Sequence, residues 1–258
     1  MLNPRDPSVV AIIQARMNSS RLPGKVLMDI GGKPMLSRVV VRARRAQFVG
    51  RVVVATTDDA SDDPVEDYCQ SQGILYFRGD PFDVLDRYYQ AARRFEAKTI
   101  VRLTADCPLI DPGEIDRTLI AFDEAGADFA ANRLPPPWQR TTPIGMDTEV
   151  VTFNALAQAW HEADAKHARE HVMPFFYEHP ERFKIVLADH PLPNLGHLRL
   201  TVDTAEDLRL IRQIYANFEN SDEFTLDEIL NLLKLQPALL KINANIAAKD
   251  YQDVDHRN

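Results

Sequence analysis

Cysteine is nearly missing from this chain: among 258 residues only Cys69 and Cys107 carry a thiol. Neither has the spacing of a zinc site, and one pair is too few for a disulfide framework. A reduced, cytoplasmic setting is therefore expected. No apolar run approaches the ~20 residues of a membrane-spanning helix. The first ten residues hold Pro4, Arg5, Asp6 and Pro7 rather than the apolar stretch of a secretory leader. Excess positive charge is also lacking, since the formal net charge is -8 and the sequence pI about 5.4. An acidic chain is a poor non-specific binder of nucleic acid, so neither nucleic acid nor membrane is expected as a partner. A polyanionic ligand would have to be held by a local basic cluster. No internal repeat, low-complexity tract or Walker phosphate loop occurs.

What is present is ordinary globular composition, 45% hydrophobic and 26% charged. The length suits one large α/β domain with a small appendage. We divide it at 1–216 and 217–258, the second part helical or irregular. Short β-branched apolar runs at 9–13, 51–56, 74–77 and 99–104 read as buried strands. Segments of helical spacing alternate with them, which predicts a mainly parallel sheet with helices on both faces. Asp111, Pro112 and Glu114 mark a helix start. Further on, strands are expected over 128–132, 148–153, 182–187 and 197–202. Helices are expected over 154–163, 168–177, 204–215 and 227–235.

In such a fold, ligands bind beyond the carboxyl ends of the strands. There the first strand is followed by a basic run, Gln14 to Lys25, with Arg16, Arg21 and Lys25 close together and Ser19, Ser20 and Gly24 small enough for close backbone approach. Backbone donors, forked arginines and a lysine point charge are the parts of a phosphate site; the alternative is a solvated loop. Asp106 follows the fourth strand and Asp203 the last. Two carboxylates on one rim would suit magnesium, which takes a few hard oxygens together with substrate phosphates. The alternatives are a turn for Asp106 and a helix cap for Asp203.

Together these segments resemble the cytidylyltransferase family, which includes the CMP-KDO and CMP-sialic acid synthetases and spore-coat polysaccharide biosynthesis proteins. The similarity rests on 12–16 with 20–25, on Gly32 to Leu36, on Arg102 to Asp111, and on Asp203 to Leu208. Asp83 to Tyr89 and Arg169 to Val172 are similar to the spore-coat branch. The resemblance implies a three-layer α/β/α sandwich of the nucleotide-diphospho-sugar transferase (Rossmann-like) type. It implies a nucleotidyltransferase that passes CMP from CTP to an acidic sugar, releasing pyrophosphate, for cell-surface or spore-coat polysaccharide. It also implies Mg2+ and a homodimer. By motif position Gln14, Ala15, Arg16, Ser20, Arg21, Lys25 and Arg78 bind the nucleotide. Arg16, Lys25, Asp106 and Asp203 are catalytic, and Asp106 and Asp203 hold the metal. Asp147, Glu149, Arg169, Glu170 and His171 stand where the acceptor sugar binds. His171 and Arg78 have structural readings too. Two rival functions share these features: a glycosyltransferase using a preformed nucleotide sugar, and a non-catalytic nucleotide-binding module. Against the first, Asp106 is followed by Cys107 and Pro108, not by the Asp-x-Asp such enzymes commonly present.

Overall fold

The computed structural model describes residues 2–135, 138, 140–188 and 194–246. β1 (Val9–Gln14) explains the architecture. Its Val9, Ala11 and Ile13 enter one core and its Val10 and Ile12 another, so a strand buried on both faces needs no polar alternation. Parallel neighbours flank it, β4 (Arg51–Thr57) on one side and β6 (Thr99–Thr104) on the other, with β5 (Leu75–Gly79) beyond β4. β2 (Asp29–Ile30) and β3 (Lys33–Pro34) form a small separate hairpin. The main sheet continues through β8 (Glu149–Thr152), antiparallel to both β6 and β7 (Phe129–Ala131), and ends on β9 (Ile185–Leu187), parallel to β7. The order is β5-β4-β1-β6-β8-β7-β9.

α1 (Met35–Arg45), α2 (Asp63–Ser71) and α4 (Pro112–Ala125) cover one face, through Leu36, Val39, Val65, Cys69, Ile115 and Leu119. α3 (Val84–Arg94), α5 (Phe153–Glu162), α6 (Lys166–His171) and α7 (Pro174–Glu178) cover the other, through Leu85, Tyr88, Leu156, Ala168 and Phe176. The result is the expected three-layer sandwich. Asp111 caps α4, accepting from the N–H groups of Gly113 and Glu114, with Pro112 in the first turn.

Two expectations are corrected. The segment 168–177 is not one helix: it breaks between α6 and α7 at Val172, whose φ is 72°. Pro174 supplies no N–H for the helical bond back to the Glu170 carbonyl, so the α6 ladder cannot continue through it. The run 197–202 forms no sheet strand but one isolated bridge, Arg199 to Ile144. Its partner segment cannot extend a ladder. Pro143 has no N–H, and the Met146 N–H turns back to the Pro143 carbonyl at 3.2 Å. Leu200 and Val202 are held instead by a third core. Gly145, at φ 103°, lets the two backbones meet: a Cβ there would lie 2.6 Å from the Leu200 carbonyl carbon. Gly145→Ala is expected to cost about 1–3 kcal/mol and to shift the backbone leading to Asp203, read as a lower Tm together with lost activity.

That third core joins α8 (Ala205–Asn217) and α9 (Leu226–Leu235) to Ile30, Met35, Leu109 and Met146. Two fully buried arginines of α1 tie it down. Arg38 donates to the carbonyls of Ile30 and Asn220, and Arg42 to those of Ile110, Asp222 and Phe224. Each guanidinium also lies 4.4 Å from an aromatic ring centroid, Tyr215 for Arg38 and Phe224 for Arg42. Among the described residues, no helix is long and apolar enough to cross a membrane.

Candidate active site

Beyond β1 the chain stays at the sheet rim because the Ala15 N–H donates to the Ala55 carbonyl at 3.0 Å. It then folds back: the Ser19 and Gly24 N–H groups both reach the Met17 carbonyl, at 2.9 and 2.7 Å. Gly24 makes the reversal at φ 72°, a conformation glycine adopts without steric cost. Lys25 follows and is carried inward. Its side chain is buried, and its Nζ donates to Asp106 Oδ2 at 2.8 Å, Asp203 Oδ1 at 3.0 Å and the Val202 carbonyl at 2.7 Å. All three ammonium protons are thereby used.

The structure thus brings together residues as much as 178 positions apart in sequence. Asp203 Oδ2 also takes Arg21 at 2.8 Å and Arg199 at 2.7 Å. Arg199 in turn grips Asp207, whose side chain closes a capping box with Thr204 at the start of α8. Thr204, rather than Asp203, is the helix cap, so the Asp203 carboxylate faces the cations. Asp106 is fixed by its own carbonyl, which accepts from the Val202 N–H at 2.8 Å and Thr201 Oγ1 at 3.0 Å. Burial alone would raise the Asp106 pKa, but the Lys25 charge and hydrogen bond outweigh it and hold the carboxyl at about 2. Burial likewise favours neutral Lys25, and Asp106 and Asp203 outweigh it in the other direction. At neutral pH this is an ammonium between two carboxylates.

Arg16 lies to one side, lining a pocket with Asn18, Thr57, Asp59, Phe82, Val84, Lys166 and Glu170. Arg78 does not line it but braces its wall. Its guanidinium donates to the Thr57 and Asp59 carbonyls at 2.7 and 2.8 Å and pairs with Asp63 and Glu66. Ser20 is an exposed residue of the loop. The five residues expected near the acceptor are not gathered at one point. Glu170 is in the pocket wall. Glu149, on β8, pairs with Arg102 of β6, which also reaches Gln14 Oε1 at 3.1 Å, a chain across three neighbouring strands. Asp147 pairs with Arg140. Arg169 binds Asp83 and the Trp160 carbonyl, tying α6 to the start of α3. His171 ends α6. Pro136 and Pro137, in the proline loop after Leu134, lie outside the described residues.

Sequence reasoning missed Arg199, Arg102 and Asp62. Arg199 sits four residues before Asp203, but a strand reading hides that spacing. Asp62 is buried and accepts from the Met17 N–H at 2.6 Å and from Thr57 N and Oγ1, so it pins the basic loop. Nothing in the run Asp58 to Asp63 marks it out. Asp62→Ala leaves buried donors unmet and is expected to cost about 1–3 kcal/mol. It should also raise the KM for the triphosphate, checked by steady-state kinetics beside a melting curve.

The comparisons bear on family and fold. The family model for cytidylyltransferases matches residues 10–251. The spore coat polysaccharide biosynthesis protein SpsF of Bacillus subtilis is 32% identical over 235 residues, 89% of this chain and 95% of that protein. A 3-deoxy-manno-octulosonate cytidylyltransferase of Geobacter sulfurreducens is 39% identical over 117 residues, 45% of this chain and 46% of that one. The structure of a cytidylyltransferase from Leptospira borgpetersenii superposes with a TM-score of 0.83 at 32% identity, covering 94% of this chain and 99% of its own. A chain with this sheet, this basic loop and this pair of aspartates belongs to the cytidylyltransferase family and is a nucleotidyltransferase.

Proposed function

We propose that the protein transfers CMP from CTP to a hydroxyl of an acidic sugar, with release of pyrophosphate, and serves cell-surface or spore-coat polysaccharide biosynthesis. The observation that carries this reading is Lys25 held between Asp106 and Asp203 at the mouth of the basic loop. Lys25, Arg21 and Arg16 are the cations a triphosphate would meet. Gln14, Ala15 and Ser20 line its backbone path.

The donor set fits magnesium. Two carboxylates already converge on one positive centre, and magnesium asks for one or two carboxylates plus phosphates and water. Asp106 and Asp203 would hold it, and when bound it neutralises charge on the phosphates. The protein's own contribution is positioning and electrostatics. The sugar oxygen bonds to the α-phosphorus as the bond from that phosphorus to the β-phosphate bridging oxygen breaks, and the hydroxyl proton passes to solvent water. Lys25 and Arg16 stabilise the charge that gathers on the departing pyrophosphate, for which Lys25 must turn from its carboxylates toward phosphate. Glu170, in the pocket wall beside Arg16, is our choice for an acceptor contact.

The test is pyrophosphate release from CTP, ATP, GTP and UTP with magnesium against a panel of acidic sugars. Release with CTP and one sugar, lost in Asp106→Ala, supports the reading and names the acceptor. No release from any pairing, with measurable binding of a preformed nucleotide sugar, would turn it toward a glycosyltransferase.

A further inference from the structure

Arg87, on the second turn of α3, is 3% exposed, yet among the described residues no hydrogen bond or ion pair meets its guanidinium, and its Nε is a buried donor without an acceptor. The other deeply buried arginines are treated differently. Arg38 and Arg42 are wrapped in carbonyls, and Arg102, whose Nε is also unmet, has Glu149 as its counter-charge. A buried charge without a counter-charge is costly, and folded proteins normally pair it.

The carboxylates whose charge reaches Arg87 form no ion pair with it and hold other groups. Asp62 holds Met17 and Thr57, and Asp80 accepts from the N–H groups of Phe82 and Asp83 at 2.7 and 3.1 Å. Burial weakens the hold of Arg87 on its proton, and the like charge of Arg16 weakens it further. Val84, one turn earlier on the same helix face, lines the pocket that Arg16 and Asp62 also line. The Arg87 stem threads past Gly79, where a Cβ would come within 3.1 Å of its Cγ.

We propose that Arg87 is a nucleotide-binding residue that donates to a phosphate oxygen lodged between it and Arg16. An anion there satisfies the unmet donors and relieves the repulsion of two guanidiniums, which a neutral base does not do. The inference rests on the nucleotide reading above and adds a residue to it.

The experiment compares the full-length protein with Arg87→Met and Arg87→Lys. It measures the ligand-free Tm and the calorimetric binding of magnesium CTP, inorganic pyrophosphate and cytidine. Arg87→Met is expected to raise the ligand-free Tm by about 2–4 °C, because an unpaired buried charge is removed. It should weaken CTP and pyrophosphate about tenfold or more and leave cytidine unchanged. Arg87→Lys should fall between. A lower ligand-free Tm for Arg87→Met would make the residue structural. Unchanged CTP and pyrophosphate binding, or an equal loss for cytidine, would overturn the phosphate contact. If the wild type binds CTP and pyrophosphate and the variant binds them equally, only the Arg87 assignment falls. If the wild type binds neither, the nucleotide reading falls and this inference with it.

Discussion

Lys25→Ala is expected to lower kcat for pyrophosphate release by about 10²–10³-fold, the usual effect of removing one charge-stabilising donor aimed at a transition state, while the sugar KM changes far less. The reverse pattern, a raised sugar KM with kcat kept, would refute the role. The same substitution has a second consequence that arises from the fold. Without the ammonium, Asp106 and Asp203 lose their shared cation, and because both carboxylates are partly exposed and Asp203 keeps Arg21 and Arg199, the loss is about 1–3 kcal/mol.

The pH dependence of that loss has a definite sign. In the wild type Asp106 is held at about 2, below its ordinary 3.8. Its contribution to stability is therefore complete above 3.8 and disappears as pH falls from there toward 2. With alanine at position 25 the burial of Asp106 is no longer outweighed, so its pKa rises and proton uptake stabilises the variant at mildly acidic pH. The Tm gap between wild type and variant should narrow from pH 7 to pH 4. A gap constant across that range would show that the pair does not govern stability.

Asp203→Asn is expected to reduce turnover by a further large factor, about 10²-fold or more, and to demand more magnesium for half-maximal rate. The side chain keeps its shape, and the Thr204–Asp207 capping box with its Arg199 contact is independent of the lost charge. The fold should therefore persist, with an unchanged circular dichroism spectrum. What disappears is the anion that holds Arg21, Lys25 and Arg199 around one point. A magnesium titration of pyrophosphate release measures the effect. Activity within about threefold of wild type at the same magnesium concentration, well under the tenfold that 1.4 kcal/mol represents, would remove Asp203 from the metal role.

Where a local rule governs, the sequence already contains the answer. The all-apolar run at 9–13 needs two covered faces, so a central parallel strand follows. Asp111 with Pro112 can start a helix, and does. The strand expected over 197–202 failed because ladder formation depends on a partner, and the partner holds Pro143 and Gly145. Arg78 shows the same limit at the site. Its place at the end of β5 is legible, but the carboxylates of α2 that occupy its guanidinium are not.

By itself the sequence determined the alternation of strands and helices in the first half and marked the basic loop, Asp106 and Asp203 as candidates, because periodicity, capping and charge spacing act over a few residues. Only the tertiary structure decided that Lys25 fills the space between those aspartates, that Asp62 pins the loop and that Arg199 backs Asp203. The same is true of Arg87, buried without an ion pair among the described residues. Except for Arg199, four positions from Asp203, those relations join residues tens to nearly two hundred positions apart, and their energies depend on burial, which exists only once the layers have packed.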